Sequence, residues 1–486
     1  MIGIPEGPQQ IIHMLEGRGH EAYVVGGCVR DSLLGRTPHD WDICTSALPQ
    51  ETIACFSGFR VIETGIQHGT VTVLFEGEPY EITTYRTDGT YSDHRRPDHV
   101  EFVRSLRQDL ERRDFTVNAM AYHPQKGLVD YFSGQADLIN KQIRCVGDPD
   151  RRFQEDALRI LRALRFASVY EFQLEGTTAR SASSNRELLR SIAGERVQEE
   201  LCRLFCGYKA DVMLTRFTDI FSVFLPEIGE LVSFLKNGVG WPDLWGQTVR
   251  GISNAPPDRL LRLVMLLRDI GKPFCFTEIR RGSMRFYGHA GISAELAEHA
   301  LRRLKFDRAT ISKVGELVGL HEIKLIPSDR CVLRQLSRIG EAQFRRLLVV
   351  KRADLAALEN AKRDEAMREL SGVEKCLERV LAQKRCFCLK DLAIGGRDLT
   401  MGGMPQGVQI GNALRTLLQL VIDGKLENTR DSLLAHCLKE GWFGHEYKQT
   451  ERHADRNGNQ RNYPSECESD GRKRDHYCQH RPNPDR

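Results

Sequence analysis

Residues Val24 to Thr45 read VVGGCVRDSLLGRTPHDWDICT, and this stretch decides the fold of the first part of the chain. Its short apolar start stops at Gly26 and Gly27, as a buried strand does where it enters a tight turn. Apolar residues at helical spacing follow. Asp40 and Asp42 are then separated by one residue, so on a strand both carboxylates project from the same face. The stretch predicts a strand, a glycine turn, a helix and a second strand with two acidic side chains.

These residue types suit the binding of a triphosphate together with a divalent cation. Glycines let the backbone approach a phosphate closely, and the N–H groups at a helix start attract anions. Arg30 adds a charge-assisted contact. Asp40 and Asp42 supply the oxygen ligands that Mg²⁺ prefers. If only the glycine pair or only the aspartate pair were present, the favoured interpretation would be an ordinary glycine turn or two solvated aspartates.

Composition sets broad bounds on the class of protein. The 486 residues, with 41% hydrophobic and 28% charged, are typical of a soluble protein with several domains. No apolar run approaches the roughly 20 residues of a membrane span, and the start of the chain lacks a signal peptide pattern. The 14 cysteines lack zinc-site spacing, so we expect free thiols in the cytoplasm. The balance of 70 basic against 66 acidic residues is compatible with an RNA partner but does not indicate one.

The predicted elements change in kind along the chain. Up to about residue 148, strand-like runs such as Phe59 to Glu63, Thr70 to Phe75 and Tyr80 to Tyr85 alternate with short helices. From about residue 150 the strand signal almost vanishes and amphipathic helices follow one another. Residues 449–486 are polar, with almost no aliphatic side chains, and are expected to be disordered, an RNA-contacting tail being the alternative. The fold class is therefore α+β, with an α/β head and a helical body.

A family resemblance rests on three runs of the opening stretch: GGCVRD, then LLG, then HDWDICT. Together they resemble the first motif of the class II, polymerase β-type nucleotidyltransferases, which comprise CCA-adding tRNA nucleotidyltransferases and bacterial poly(A) polymerases. Thr64 to Val73, TGIQHGTVTV, is similar to the CCA-adding branch, whereas the poly(A) polymerases have a basic run there. Thr87 to Asp98 resembles the flexible loop needed for adding the terminal A. Glu81 is either a third carboxylate near the metal or a half-exposed strand residue.

Two further motifs extend the resemblance. Arg112 to Ala121, RRDFTVNAMA, resembles the family's second motif, which implies that Arg113, Asp114 and Asn118 contact the ribose and phosphates of the nucleotide. From the residues alone, an ion pair at a helix start remains the alternative. Gln154 to Arg165 contains Asp156 and Arg159, which would be neighbours at i, i+3 on a helix, followed by Arg162 and Arg165.

The resemblance implies that Asp156 and Arg159 read the incoming base. Cytosine and adenine both offer an amino donor beside a ring-nitrogen acceptor, which match an acceptor-only carboxylate and a donor-only guanidinium. Uracil and guanine present the reverse pattern, which costs about 1–3 kcal/mol for each unsatisfied group. One pair could therefore accept C and A without a nucleic-acid template. A surface ion pair is the alternative for the isolated segment.

Arg268-Asp269-Ile270-Gly271-Lys272 resembles the signature of HD-type metal phosphohydrolases, with Arg268 in place of the histidine ligand. Arginine is always protonated and cannot ligate a metal. His289 and His321 remain, but histidines on predicted helices are more often structural. We therefore expect a degenerate HD-like scaffold without phosphatase or phosphodiesterase activity.

These observations combine into one hypothesis. The expected domains are a catalytic head (1–148), a neck with the base-reading residues (149–215), an HD-like body (216–350), a tail that contacts tRNA (351–448), and the segment 449–486. The resemblance implies an enzyme that adds CCA to tRNA from CTP and ATP, with Asp40 and Asp42 holding two Mg²⁺ ions, Gly26, Gly27 and Arg30 holding the triphosphate, and Arg113, Arg162 and Arg165 around phosphates and sugar. Enzymes that add only A, poly(A) polymerases and a non-catalytic RNA-binding or chaperone protein are the alternatives.

Overall fold

The computed structural model describes residues 2–89, 99–236, 243–279, 283–358 and 363–443. The chain divides into two compact units, one of which ends at Arg379 while the other begins at Val380. The predicted limits after residues 148, 215 and 350 therefore stay predictions. Most of the predicted loop from Thr87 to Asp98 and the whole segment 449–486 lie outside the described residues.

Strands are concentrated in the first third of the chain. Those in the described residues are β1 (Ala22–Val25), β2 (Ile43–Thr45), β3 (Arg60–Ile62), β4 (Thr70–Phe75), β5 (Glu78–Thr84), β6 (Arg86–Asp88), β7 (Val100–Phe102), β8 (Met120–His123), β9 (Gly127–Asp130), β10 (Gln142–Ile143), β11 (Gln173–Leu174), β12 (Phe276–Ile279) and β13 (Ser283–Phe286).

Helices cover most of the remaining described chain. They are α1 (Glu6–Glu16), α2 (Gly27–Leu33), α3 (Pro49–Cys55), α4 (Leu106–Glu111), α5 (Gly134–Ile139), α6 (Pro149–Glu155), α7 (Leu158–Tyr170), α8 (Gly176–Ser184), α9 (Gly194–Phe205), α10 (Ala210–Arg216), α11 (Thr218–Phe224), α12 (Pro226–Lys236), α13 (Leu244–Asn254), α14 (Arg259–Leu267), α15 (His289–Arg303), α16 (Arg308–Leu320), α17 (Asp329–Ala356), α18 (Arg363–Ala382), α19 (Gly396–Met401), α20 (Val408–Ile422) and α21 (Arg430–Lys439).

Within the described chain, seven strands form one mixed sheet in the order β3-β4-β5-β2-β1-β8-β9. Strand β1 pairs antiparallel with β2 and β8, so that Val24 lies opposite both Ile43 and Tyr122. Strand β2 runs parallel to β5, with Ile43 opposite Ile82. The opening stretch of the sequence therefore lies in the middle of the sheet, where β1 ends beside the start of β2.

A buried apolar cluster holds that region in place. Tyr23 and Val25 of β1 pack with Cys44 of β2 and with Leu106 and Leu110 of α4. All four residues of β1 are buried, as their uninterrupted apolar pattern predicts. The cluster fixes the strand ends next to which the acidic residues lie.

The α+β class is confirmed, and the strands expected near residues 59–85 are present as β3, β4 and β5. Two local predictions are wrong. The strand expected at Asp40 and Asp42 begins only at Ile43, so both aspartates lie in the segment that leads into β2. The helix expected to carry both Asp156 and Arg159 is interrupted after Glu155, because Asp156 has extended backbone angles (φ −138°, ψ 103°).

The cysteines that the structure describes are all free thiols, as the sequence predicts. In the same part of the chain, no helix has both the length and the apolar character that crossing a bilayer requires.

Candidate active site

A cavity of about 1130 Å³ opens where the sheet meets α7 and α9. Its walls carry most of the site residues predicted from the sequence, namely Gly26, Gly27, Arg30, Asp40, Asp42, Arg113, Asp114, Asn118, Arg162 and Arg165. Asp156 and Arg159 are not among the residues that line it. Ten of the twelve predicted residues therefore meet in one place, although they are spread over some 140 positions of sequence.

The glycine turn forms one wall of this cavity. Gly26 has a φ of +80°, a conformation that glycine adopts without the strain of a side chain. Its N–H donates to the carbonyl oxygen of Met120, which ties the turn to β8. A Cβ at Gly26 would lie 3.1 Å from Nη1 of Arg113, whereas one at Gly27 would meet only ordinary contact distances. Gly26 is thus required both by its backbone conformation and by the approach of Arg113.

The two predicted metal ligands lie in the segment that leads into β2. Asp40 and Asp42 are both exposed, and both line the cavity. The pKa of Asp42 is raised because the surrounding protein displaces water from its carboxylate, and because the negative charges of Glu81 and Asp40 are close. Arg113 opposes this effect without cancelling it. Two aspartates with a third carboxylate close by supply the oxygen ligands that a hard divalent cation prefers.

Arg30 is held by a network of protein groups. Its side chain is almost fully buried, and it donates two hydrogen bonds of 2.9 Å to the carboxylate of Asp31. It also donates to Oδ1 of Asn118 at 2.5 Å and to the hydroxyl of Tyr170 at 2.6 Å. The ring of Tyr170 lies 4.5 Å from the guanidinium carbon. With four donor contacts already made, Arg30 mainly holds α2, Asn118 and α7 together and lends a positive charge to the cavity.

Asp114 connects the head to α7. Its Oδ2 accepts hydrogen bonds from Nε and Nη2 of Arg162 at 2.9 and 2.6 Å, and its Oδ1 accepts from Asn118 at 3.0 Å. Burial alone would raise the pKa of Asp114, but the charge of Arg162 and these hydrogen bonds hold the pKa below its usual value. Asp114 is thus ionised, and it orients the amide of Asn118 at the edge of the cavity.

Arg113 is the most available cation near the acidic pair. It contacts Asp109 at 3.3 Å, and its buried Nε has no hydrogen-bond partner among the described residues. A buried unpaired donor costs free energy, so a group that accepts from it would be stabilised. Arg113 is therefore well suited to a phosphate or another anion in the cavity.

Arg162 and Arg165 share a carboxylate on α9. Nε of Arg165 lies 3.2 Å from Oε2 of Glu200, and Nη1 of Arg162 lies 3.9 Å from Oε1. Burial raises the pKa of Glu200, and Arg165 is the largest influence in the opposite direction. Arg162 remains one-third exposed and lines the cavity.

The prediction that Asp156 and Arg159 lie on one helix is wrong, because Asp156 precedes α7, whereas Arg159 lies in the first turn of α7. The carboxylate of Asp156 caps the start of α7 by accepting from the N–H of Leu158 at 3.1 Å, and it forms a 3.0 Å ion pair with Arg196. Arg159 instead contacts Glu155 at 2.7 Å. The helix is broken at this point because the chain is extended at Asp156. Aspartate is a preferred capping residue, and this was the available signal for the break.

Sequence reasoning missed several residues of the site. Tyr170 accepts from Arg30 and donates to Asp31 at 2.9 Å, and α9 contributes a complete wall that includes Glu195, Gln198, Glu199 and Arg203. Tyr170 is separated from Asp31 by 139 positions, and no local pattern marks such a contact. The amphipathic pattern of α9 indicates a helix with one buried face but not what its polar residues approach.

Comparison with protein-family models identifies the same organisation. A model described as the poly A polymerase head domain matches residues 22–144. A model for an RNA and SrmB binding site of polymerase A matches residues 171–231, and a model for tRNA nucleotidyltransferase domain 2 matches residues 284–437.

Curated relatives and solved structures agree with these matches. The chain is 36% identical to the CCA-adding enzyme of Lactobacillus helveticus over 432 residues, covering 87% of this chain and 94% of that one. It is 37% identical to the CCA-adding enzyme of Levilactobacillus brevis over 428 residues, covering 87% and 95%. The crystal structure of the Bacillus stearothermophilus CCA-adding enzyme in complex with CTP superimposes with a TM-score of 0.63 at 29% identity, covering 93% of this chain and 98% of that one. With its glycine turn, acidic pair and helical wall in one cavity, and with relatives of this identity over nearly their whole length, the chain belongs to the family of CCA-adding enzymes.

Proposed function

We propose that this protein adds C, C and A to the 3′ end of tRNA from CTP and ATP, without a nucleic-acid template. The observation that carries the proposal is the single cavity in which Asp40 and Asp42 face the glycine turn, Arg113 and the basic side of α7. Pyrophosphate is released in this reaction when the 3′ hydroxyl of tRNA attacks the α-phosphate of the nucleotide.

Asp40 and Asp42 fit a divalent cation, and Mg²⁺ is the ion we propose. Asp40 and Asp42 line the same cavity, and Glu81 lies close enough to Asp42 to influence its pKa, so that carboxylate oxygens are gathered at one point. Hard oxygen ligands favour Mg²⁺ over softer ions. When bound there, Mg²⁺ supplies activation of the attacking hydroxyl and neutralisation of the leaving oxygens. Glu81 acts on the pKa of Asp42 and is proposed as a neighbour of the ion.

The triphosphate and the sugar are assigned to the part of the cavity formed by the glycine turn, Arg113 and Asn118. Gly26 and Gly27 permit close approach of the backbone, and Arg113 offers its unpaired donor to a phosphate oxygen. Asn118, fixed by Arg30 and Asp114, presents an amide to the ribose hydroxyls. The exposed part of Arg162 adds positive charge, while Arg165 holds Glu200 and supports the wall.

Asp156 and Arg159, at the N-terminal end of α7, are proposed to select the base of the incoming nucleotide. Each side chain already has a protein partner, Arg196 for Asp156 and Glu155 for Arg159. A carboxylate has about four lone-pair sites, so Asp156 can keep Arg196 and still accept from an amino group of the base. Because neither residue lines the present cavity, base reading requires the start of α7 to approach the bound nucleotide.

The proposal is tested with tRNA substrates that end before CCA, after C and after CC. Each is incubated with CTP alone, with ATP alone and with both, and the products are separated at single-nucleotide resolution. Full CCA addition is expected only when both nucleotides are present. Failure to incorporate CTP into any substrate would contradict the proposal in favour of an A-adding enzyme, and repeated A addition would indicate a poly(A) polymerase. tRNA binding without transfer would favour the non-catalytic alternative.

A further inference from the structure

Three buried side chains outside the active site place their ligand atoms around one point. Asp269 follows α14, His289 begins α15, and His321 follows α16. All three side chains are at least nine-tenths buried. Nε2 of His289 lies 3.2 Å from Nε2 of His321, and Oδ1 of Asp269 lies 3.4 and 3.7 Å from these two nitrogens.

The hydrogen bonds on the far side of each ring determine where its proton lies. Nδ1 of His289 is 2.9 Å from the carbonyl oxygen of Phe286, and Nδ1 of His321 is 2.7 Å from that of Val318. A carbonyl oxygen only accepts, so each Nδ1 carries the hydrogen. Both Nε2 atoms of the neutral rings are then bare lone pairs, and they face each other and a carboxylate oxygen. The two Nε2 atoms therefore face each other with no donor hydrogen between them, while Oδ1 of Asp269 has one donor, the ammonium of Lys272 at 2.8 Å.

Such an arrangement is satisfied by a positive centre at the point where the lone pairs meet. A tetrahedral ion with bonds of about 2.0–2.1 Å holds its ligand atoms roughly 3.3 Å apart, which agrees with the three separations. A carbonyl that accepts from the second ring nitrogen is also the usual support of a metal-bound histidine. A proton shared between the rings would satisfy two of the three acceptors.

We propose that Asp269, His289 and His321 bind one divalent transition-metal ion of the Zn²⁺ class, which joins the ends of α14, α15 and α16. Two imidazoles and one carboxylate favour such an ion over Mg²⁺ or Ca²⁺. The site is structural in this proposal, and the expected lack of phosphohydrolase activity stays a prediction.

The residues around the three ligands hold the carboxylate in position. Nζ of Lys272 lies 2.8 Å from Oδ1 of Asp269, and Nε of Arg268 lies 3.4 Å from Oδ2. Arg268 itself is fully buried and pairs with Asp354 at 2.8 Å. It occupies the sequence position at which HD-type phosphohydrolases have a histidine ligand, and here it supports Asp269 and does not bind the ion. These cations reduce the negative charge of the site, so the two imidazoles must supply most of the affinity for an ion, and Lys272 must move away from Oδ1 when the ion binds.

One of the three proposed ligands, His321, also lines a neighbouring cavity. A cavity of about 260 Å³ is lined by His321, Glu322, Lys351 and Asp354. Glu322 is half-exposed, and its Oε2 lies 3.3 Å from Nδ1 of His289. The buried ligands are therefore next to an opening with an acidic side chain.

The test uses the full-length protein, stripped with a chelator and then titrated with Co²⁺ or Zn²⁺ in excess Mg²⁺. Excess Mg²⁺ occupies the all-carboxylate site at Asp40 and Asp42 but does not displace an ion bound by imidazole. One equivalent of Co²⁺ with the intense visible absorption of low-coordinate Co²⁺, and a higher melting temperature with Zn²⁺, are expected. If the wild-type protein takes up neither ion under these conditions, the proposal is wrong and the rings share a proton.

Matched variants locate the bound ion. His289→Gln and His321→Gln are expected to lose the Co²⁺ absorption and the Zn²⁺-dependent rise in melting temperature, while His299→Gln, an exposed histidine on α15, keeps both. Nucleotide transfer to tRNA serves as the check that each variant is folded. Equal Co²⁺ uptake by the wild type and by a folded His289→Gln or His321→Gln variant would overturn the assignment.

Discussion

The carboxylate of Asp156 forms an ion pair with Arg196 at 3.0 Å, across 40 positions of sequence. This contact joins the break between α6 and α7 to the first turn of α9. The residue proposed to read the base is therefore oriented by a side chain that no motif of the sequence singled out.

Replacement of Arg196 by alanine is expected to relax nucleotide selection. Asp156 would lose its orienting partner, and the preference for CTP over UTP should fall about tenfold, which corresponds to roughly 1.4 kcal/mol. Competition between the two nucleotides on tRNA that lacks CCA measures this preference. Arg190→Ala, which removes an exposed pair with Glu187, is the control. An unchanged preference in Arg196→Ala would show that Arg196 does not position the base reader.

Asp42→Asn is expected to abolish nucleotide transfer while leaving tRNA binding nearly intact. Loss of an ionised ligand removes several kcal/mol of charge stabilisation, so transfer should fall by at least about three powers of ten. Single-turnover incorporation of CTP and gel-shift binding of tRNA measure the two properties separately. Glu81→Gln is the comparison, with a smaller expected loss. Transfer that survives in Asp42→Asn would exclude this residue as a metal ligand.

Gly26→Ala should impair nucleotide binding more than Gly35→Ala. Both glycines have positive φ, but a Cβ at Gly26 lies 3.1 Å from Nη1 of Arg113, whereas one at Gly35 meets nothing within 4 Å. Gly35→Ala controls for the cost of a side chain at positive φ, about 1 kcal/mol, so a larger effect of Gly26→Ala reports the displacement of Arg113 together with the backbone angles of Gly26. The KM for CTP should rise several-fold only in Gly26→Ala. Equal effects in the two variants would mean that Arg113 does not contact the nucleotide.

Tyr170→Phe tests the network around Arg30. The hydroxyl accepts from Arg30 and donates to Asp31, so its removal should cost about 1 kcal/mol of stability and raise the KM for nucleotides a few-fold. Thermal unfolding and steady-state kinetics measure these two effects. Tyr208→Phe, on an exposed side chain, should change neither. A Tyr170→Phe protein as stable and active as the wild type would show that the ring alone supports Arg30.

Asp114→Asn should change how stability depends on pH. The folded protein holds the pKa of Asp114 below its unfolded value of about 3.9, so this group stabilises the folded state above that pH, and its contribution is lost as pH falls through the folded pKa. Breaking the buried pair with Arg162 should cost about 3 kcal/mol at neutral pH. Urea unfolding at neutral pH and below pH 4 should show the difference between wild type and variant shrinking with acidity. A difference that is the same at both pH values would assign it to packing, not to charge.

The parts of the site that lie within one short segment were predictable. One stretch of sequence supplies Gly26, Gly27, Asp40 and Asp42. The spacing of these residues reflects a turn beside two strand ends, and such local patterns are kept in the folded protein. The helix across Asp156 and Arg159 was predicted wrongly, because the apolar spacing does not reveal that the chain is extended at Asp156.

Contacts that depend on tertiary packing left no local signal. Tyr170 of α7 reaches Arg30 of α2, and Glu200 of α9 reaches Arg165 of α7. Likewise, His289 and His321 each look like an isolated helical histidine in the sequence and meet Asp269 only after α15 packs on α16. Only the arrangement of the helices determines which of these polar residues meet.

The pairing of Asp114 with Arg162, and of Arg30 with Tyr170, has a consequence for how such a protein can be recombined. The segment that matches the head model ends at residue 144, before either helical partner. A fragment that ends there would leave the carboxylate of Asp114 without Arg162 and the guanidinium of Arg30 without Tyr170. Both groups would be exposed at the surface that carries the active site. Chimaeras between relatives should therefore be active only when the head and α7 come from the same parent protein. The segment that must be kept together for catalysis is longer than the segment that the head model matches.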